Sequence, residues 1–143
     1  MTERWYVLGA GAIGSLFAAF MRRGGVEVVL LDHRGGNADA RSIDIDGLEP
    51  CGRFTYPVSP VGARENIDYL LVTTKAYAVL PALASVRHRL RDATTAVQMV
   101  NGMGLDAAIH KAHPGLSLTL ATTTEGAYRR ADGSVCHAGS GRT

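Results

Sequence analysis

At 143 residues the chain has the length of one domain with room for a buried core. Its 46% hydrophobic and 20% charged residues exclude a disordered chain, and a net charge of +2 with scattered basic residues excludes a nucleic-acid-binding surface. Two distant cysteines, Cys51 and Cys136, fit a reducing, cytoplasmic compartment and exclude a disulfide framework or a zinc site.

The chain opens on "RWYVLGAGAIGSLFAAFMRR", in which residues 5–21 carry no charge. That length stands at the lower edge of a membrane span, and a signal peptide would need a small-residue cleavage site where Arg-Arg-Gly-Gly stands instead. The internal pattern favours a different parse. "RWYVL" is bulky and β-favouring, glycines at 9, 11 and 14 punctuate the next six residues, and Ile13, Leu16, Phe17, Phe20 and Met21 recur at helical spacing on one side. A strand, a glycine turn and an amphipathic helix are therefore expected. The Gly-x-Gly-x-x-Gly spacing permits a tight turn, a close backbone approach to a pyrophosphate and close helix–strand packing, beside the positive end of the helix.

"VEVVLLD" (26–32) reads as a buried parallel strand ending in Asp32, and 33–42 as a polar glycine-rich loop. Asp-Gly and Pro signals across 43–62 suggest a small irregular hairpin. A buried strand over 67–74 comes next, then a helix over 78–90 with Pro81 near its first turn, where proline is tolerated. The pattern continues with a strand at 94–100, a short helix at 105–113, a strand at 116–124 and a β-hairpin at 126–139 turning at Asp132-Gly133.

Alternating strands and helices imply an α/β fold: a Rossmann-type, doubly wound, mostly parallel sheet with helices on both faces and a C-terminal β-hairpin, all within one domain. Ligands of such sheets bind at the carboxyl ends of the strands. That rule selects four places: the turn Gly9-Ala10-Gly11-Ala12-Ile13-Gly14, the segment Asp32-His33-Arg34, the segment Thr73-Thr74-Lys75, and Asn101-Gly102. Each has a plainer reading. Lys75 suits a solvated loop, Asn101-Gly102 a simple turn, and Thr122 to Thr124 strand-end hydroxyls bonded to backbone. The histidines form no cluster, His88, His110 and His113 suit the surface, and no Ser-His-Asp or Cys-His set can be argued. Both cysteines read as inert. No metal site is expected.

"VLGAGAIGSLFAA", "LLVTTKAY", "VNGMG" and "ATTTEGAYRRADGSVCHAG" together resemble the N-terminal, nucleotide-binding half of the ketopantoate reductase (2-dehydropantoate 2-reductase) family, over nearly the whole chain. The first block is shared by many dehydrogenases; the later three are more specific. The resemblance implies NADPH-dependent reduction of ketopantoate to pantoate, on the route to pantothenate and coenzyme A, by an enzyme that acts on a small-molecule 2-oxo acid and can form a homodimer. Gly9, Gly11 and Gly14 would line the pyrophosphate, with Lys75 and Asn101 on the nicotinamide and substrate side. The family's proton-donating lysine belongs to a helical C-terminal domain with no counterpart in these 143 residues, so the chain by itself is expected to be inactive. Cofactor choice stays open. Asp32 suits the free ribose hydroxyl of NADH, whereas Arg34 suits the 2′-phosphate of NADPH, which the resemblance favours. A non-catalytic nucleotide-binding module and a dehydrogenase of another 2-oxo acid are the alternative readings.

Overall fold

The computed structural model describes residues 3–33, 36–99 and 104–143. The expected strand, turn and helix at the start are β1 (Arg4–Leu8) and α1 (Ala12–Arg23), joined through Gly9, Ala10 and Gly11. Next come β2 (Glu27–Asp32), β3 (Ala40–Gly47), β4 (Gly52–Pro60), β5 (Ile67–Val72), α2 (Val79–Ser85) and β6 (Leu90–Met99). The chain then continues through α3 (Leu105–Ala112), β7 (Ser117–Ala121), β8 (Gly126–Arg129) and β9 (Val135–Gly139). Among the described residues no helix is long and apolar enough to cross a membrane. The uncharged opening is largely buried because it forms an interior strand and the helix packed on it.

The described strands form one sheet in the order β7-β6-β5-β1-β2-β4-β3-β9-β8. From β7 to β4 every pairing is parallel, while β3–β4 and β8–β9 are antiparallel. Alternation along the strands divides the core between two faces. Tyr6, Leu8, Val29, Leu31 and Leu70 pack with Val79 and Leu83 of α2 and Ile109 of α3. Val7, Val28, Leu30 and Leu71 pack on the other face with Ala18 and Ala19 of α1. Helices therefore cover both faces, as the buried-strand pattern requires. Ile43, Ile45, Tyr56 and Val135, from the antiparallel strands, join the α1 core, and α1 touches β8 and β9 as well as β1 and β2. The sheet thus curls around α1.

Three elements differ from the sequence expectation. The segment at 43–62 is a regular hairpin, with β3 pairing β4 from Ala40↔Pro57 to Ile45↔Gly52. The alternation of Ile43 and Ile45 with Asp44 and Asp46 carries this register, and it outweighs the glycine and proline signals. The helix expected over 78–90 is divided into a 3-10 turn at Ala76–Ala78, α2, and a second 3-10 turn at Arg87–Arg89. Arg89 is fully buried. It donates from Nε to Glu65 O at 2.7 Å and from Nη1 to Pro60 O at 3.0 Å, and its guanidinium lies 5.2 Å from the Tyr6 ring centroid. These contacts draw residue 89 inward, so β6 starts at Leu90, paired with Ile67, instead of at 94. β7 is shorter than expected, because past Ala121 the backbone of Thr124 pairs with Arg142.

Tyr56 supplies a test of this packing. Its ring stacks on Phe54 at 6.5 Å, and its buried hydroxyl finds no hydrogen-bond partner among the described residues. Burial pushes that hydroxyl up to about 12. Because the unfolded value is about 10, Tyr56 favours folding fully below that pH and loses its contribution as pH rises through 12. Tyr56→Phe is expected to leave stability at neutral pH unchanged or raise it by about 1 kcal/mol. The same variant should reduce the alkaline loss, as measured by urea unfolding at neutral pH and above about pH 10.

Candidate functional site

The six strands from β7 to β4 point their carboxyl ends the same way, and the chain leaves β1 toward β2 on one side but continues through β5 and β6 on the other. The reversal places a crevice at the ends of β1 and β5, where ligands of such sheets bind. A cleft of about 380 Å³ lies there. The turn from Gly9 to Ile13 forms its floor, Leu31, Asp32 and His33 flank it from the end of β2, and Thr73, Thr74 and Lys75 flank it from the end of β5.

The turn is built by specific contacts. Gly9 has φ +99°, and a Cβ there would stand 2.7 Å from the Thr74 amide nitrogen. Gly11 N–H donates to Gly9 O at 2.8 Å, and Ser15 N–H donates to Gly11 O at 2.9 Å to begin α1. Thr73 braces the turn from β5: its N–H donates to Leu8 O at 2.9 Å and its Oγ1 to Gly9 O at 2.5 Å. Gly14 packs directly on this brace. A Cβ at Gly14 would collide with Gly9 O and stand 2.5 Å from Thr73 Oγ1.

Gly11 is different. Nothing lies within 4 Å of where its Cβ would stand, so the space above the turn is open. The first N–H groups of α1 lack intrahelical acceptors and carry the positive end of the helix dipole. Thr74 Oγ1, beside the cleft, is buried without a hydrogen-bond partner among the described residues. An open floor, free amide donors and an orphaned hydroxyl fit the diphosphate of a dinucleotide.

Lys75 is exposed on the cleft wall, and its carbonyl accepts the Ala78 N–H at 2.8 Å, starting the first 3-10 turn. The structure therefore brings Gly9, Ala10, Gly11, Ala12 and Ile13 together with Asp32, Thr73, Thr74 and Lys75 in one cleft. Gly14 lies behind it as a packing residue. Arg34 and Asn101 lie outside the described residues. Sequence reasoning missed Arg41 of β3 and Arg129 of β8, which also line the cleft. Neither follows a parallel strand, so the strand-end rule had no means of selecting them. Among the described residues no group of three His, Cys, Asp or Glu side chains is placed to hold a metal ion.

The strand order and the glycine turn at its reversal point define a Rossmann-type domain. The chain belongs to the ketopantoate reductase PanE/ApbA family, whose family model matches residues 5–143. It is 31% identical over 137 residues to the 2-dehydropantoate 2-reductase of Vibrio cholerae serotype O1, covering 96% of this chain and 45% of that protein. The chain thus spans about half the length of the curated relatives it matches. Its fold superposes on the 2-dehydropantoate 2-reductase of Geobacter metallireducens GS-15 with a TM-score of 0.78 and 26% identity, over 97% of this chain and 47% of that one. A D-mandelate dehydrogenase, in a ternary structure with NADH and anilino(oxo)acetate, shares the fold at TM-score 0.78 and 22% identity, over 97% of this chain and 46% of that one.

Proposed function

We propose that the chain is the cofactor-binding half of an NADP(H)-dependent oxidoreductase that reduces the 2-oxo group of ketopantoate to give pantoate. The cleft at the reversal point carries the reading: an open glycine floor joined to Thr74 and Lys75 on one wall. Membership of the ketopantoate reductase family supports the substrate class. The reduced nicotinamide supplies the hydride when bound. The turn from Gly9 to Ile13 holds the diphosphate, and Lys75 faces the nicotinamide and the substrate, the role that the family resemblance also gives Asn101. Hydride addition leaves negative charge on the former carbonyl oxygen, and a cationic or amide donor there stabilises it. Such an enzyme functions in pantothenate and coenzyme A biosynthesis, in the cytoplasm, and as a homodimer.

A related dehydrogenase acting on another 2-oxo acid is the second reading, favoured by the fold's likeness to the D-mandelate dehydrogenase solved with NADH. Absorbance of the reduced nicotinamide separates the two. The complete gene product is expected to oxidise NADPH with ketopantoate, while residues 1–143 alone bind the cofactor without turnover. Complete protein that is inactive on ketopantoate but active on another 2-oxo acid would replace the first reading with the second. Turnover by residues 1–143 alone would overturn the assignment of this chain as only half of the enzyme.

A further inference from the structure

A turn that holds an anion on its N–H groups must keep its own carbonyl oxygens off the ligand, and glycine leaves the facing of each peptide undecided. Here three carbonyls are turned inward. Gly9 O accepts from Gly11 N–H at 2.8 Å and from Thr73 Oγ1 at 2.5 Å, on the side where Gly14 packs. Gly11 O accepts from Ser15 N–H at 2.9 Å, and Ala10 O accepts from the Ser15 hydroxyl at a longer 3.4 Å. Ser15 is 2% exposed on α1, and Thr73 directly follows β5. In a trans peptide the N–H points opposite to the C=O. The inward carbonyls of Gly9 and Gly11 therefore send Ala10 N–H and Ala12 N–H toward the open side of the turn, and both residues line the cleft. Two of the holding contacts come from side-chain hydroxyls, neither of them on a motif glycine.

We infer that the Thr73 hydroxyl, together with that of Ser15, is a positioning group for the dinucleotide: it fixes the turn with its carbonyl oxygens inward, so that the diphosphate meets N–H donors alone. The inference rests on the dinucleotide reading above. Thr73 acts without touching the cofactor. Once its hydroxyl is removed, Gly9 O keeps only the bond from Gly11 N–H. The Gly9–Ala10 peptide, hinged on a residue at φ +99°, is then freer to rotate. A rotated peptide presents a partly negative oxygen where an N–H stood, and it repels the diphosphate. The signature is a loss of affinity for every ligand that carries the diphosphate, whatever stands at its two ends.

Calorimetric titration of the purified protein with NADPH, NADH and ADP-ribose, beside thermal unfolding, tests this. Thr73→Ala and Thr73→Ser both lose the methyl, and only the alanine loses the hydroxyl. Thr73→Ala should weaken each of the three ligands that wild type binds by a common factor of about ten. Thr73→Ser should stay within about twofold of wild type. Ser15→Ala should weaken them by about threefold, in keeping with its longer contact. Its unfolding midpoint should hold or rise, because alanine is favoured inside a helix. Affinity and stability then part company, which a purely structural role would not produce. Equal affinities in Thr73→Ala and Thr73→Ser would overturn the inference and leave the dinucleotide reading standing. A loss for NADPH and NADH that ADP-ribose does not share would overturn it as well, placing the effect away from the diphosphate. Unchanged affinity in Ser15→Ala would overturn the share given to Ser15. Wild-type protein that binds none of the three would sink the dinucleotide reading and this inference together.

Discussion

Gly14→Ala is expected to destabilise the domain by about 3 kcal/mol, because the added methyl meets the Gly9 carbonyl and Thr73 Oγ1. Helix propensity acts in the opposite direction, since alanine is favoured over glycine inside α1 by about 1 kcal/mol. The clash wins: its partners are the backbone of the turn and a hydroxyl already bonded to Gly9 O, and neither is the free end of a flexible side chain. Gly11→Ala is the informative control. Gly11 occupies the α1 N-cap at φ −79°, and its methyl would meet nothing within the protein. Its unfolding midpoint should stay within about 2 °C of wild type. Dinucleotide affinity should nevertheless fall by about tenfold or more, as the methyl enters the space above the turn. Thermal unfolding and cofactor titration together check the pair. If Gly11→Ala bound NADPH normally, the turn would not be the diphosphate site.

His137→Ala is expected to cost about 3 kcal/mol, because it removes a buried ring and breaks its two hydrogen bonds. His137 is 2% exposed on β9, with Nε2 at 2.7 Å from Glu125 Oε2 and Nδ1 at 3.1 Å from Leu48 O. The pair ties the C-terminal hairpin to the turn between β3 and β4 and packs edge-on against Phe20 of α1 at 6.0 Å. Truncation takes the imidazole partner from the Glu125 carboxylate and leaves a void beside it. The hydrogen bond from His137 holds that carboxyl below the ordinary carboxylate range. A depressed acid contributes stability above its unfolded value, about 4.3, and loses it as pH falls through the folded value. Wild-type protein should therefore show an acid-dependent loss of stability that His137→Ala reduces. A double-mutant cycle with Glu125→Ala, read by urea unfolding from about pH 3 to pH 7, measures the coupling. A coupling near zero would show that the two side chains act independently.

The sequence alone made the parallel half legible. The glycine spacing, the apolar runs at 26–32 and 67–74 and the one-sided stripe from Ile13 to Met21 each state a local preference, and all agree on one fold. The turn, Asp32, Thr73, Thr74 and Lys75 are legible for the same reason, since each lies at or just past the carboxyl end of a parallel strand. Their neighbourhood in one cleft was predictable from topology without knowing any side-chain contact.

The contacts made across the sheet were not legible. Arg41 and Arg129 are 88 positions apart, and only the pairing of β3 with β4 and β9, and of β9 with β8, folds their strands toward the cleft. Glu125 and His137 meet when β8 pairs with β9, and the ring then packs against Phe20 of α1. Arg89 reads as one member of a basic run at 87–91, yet its guanidinium is buried on backbone carbonyls while Arg91 pairs with Asp68. Local periodicity determined the elements and the phosphate turn, because those depend on near neighbours along the chain. The meeting of Arg41 and Arg129 at one cleft and the burial of Arg89 and His137 depend on sheet register and the curl around α1, which only the packed tertiary structure decides.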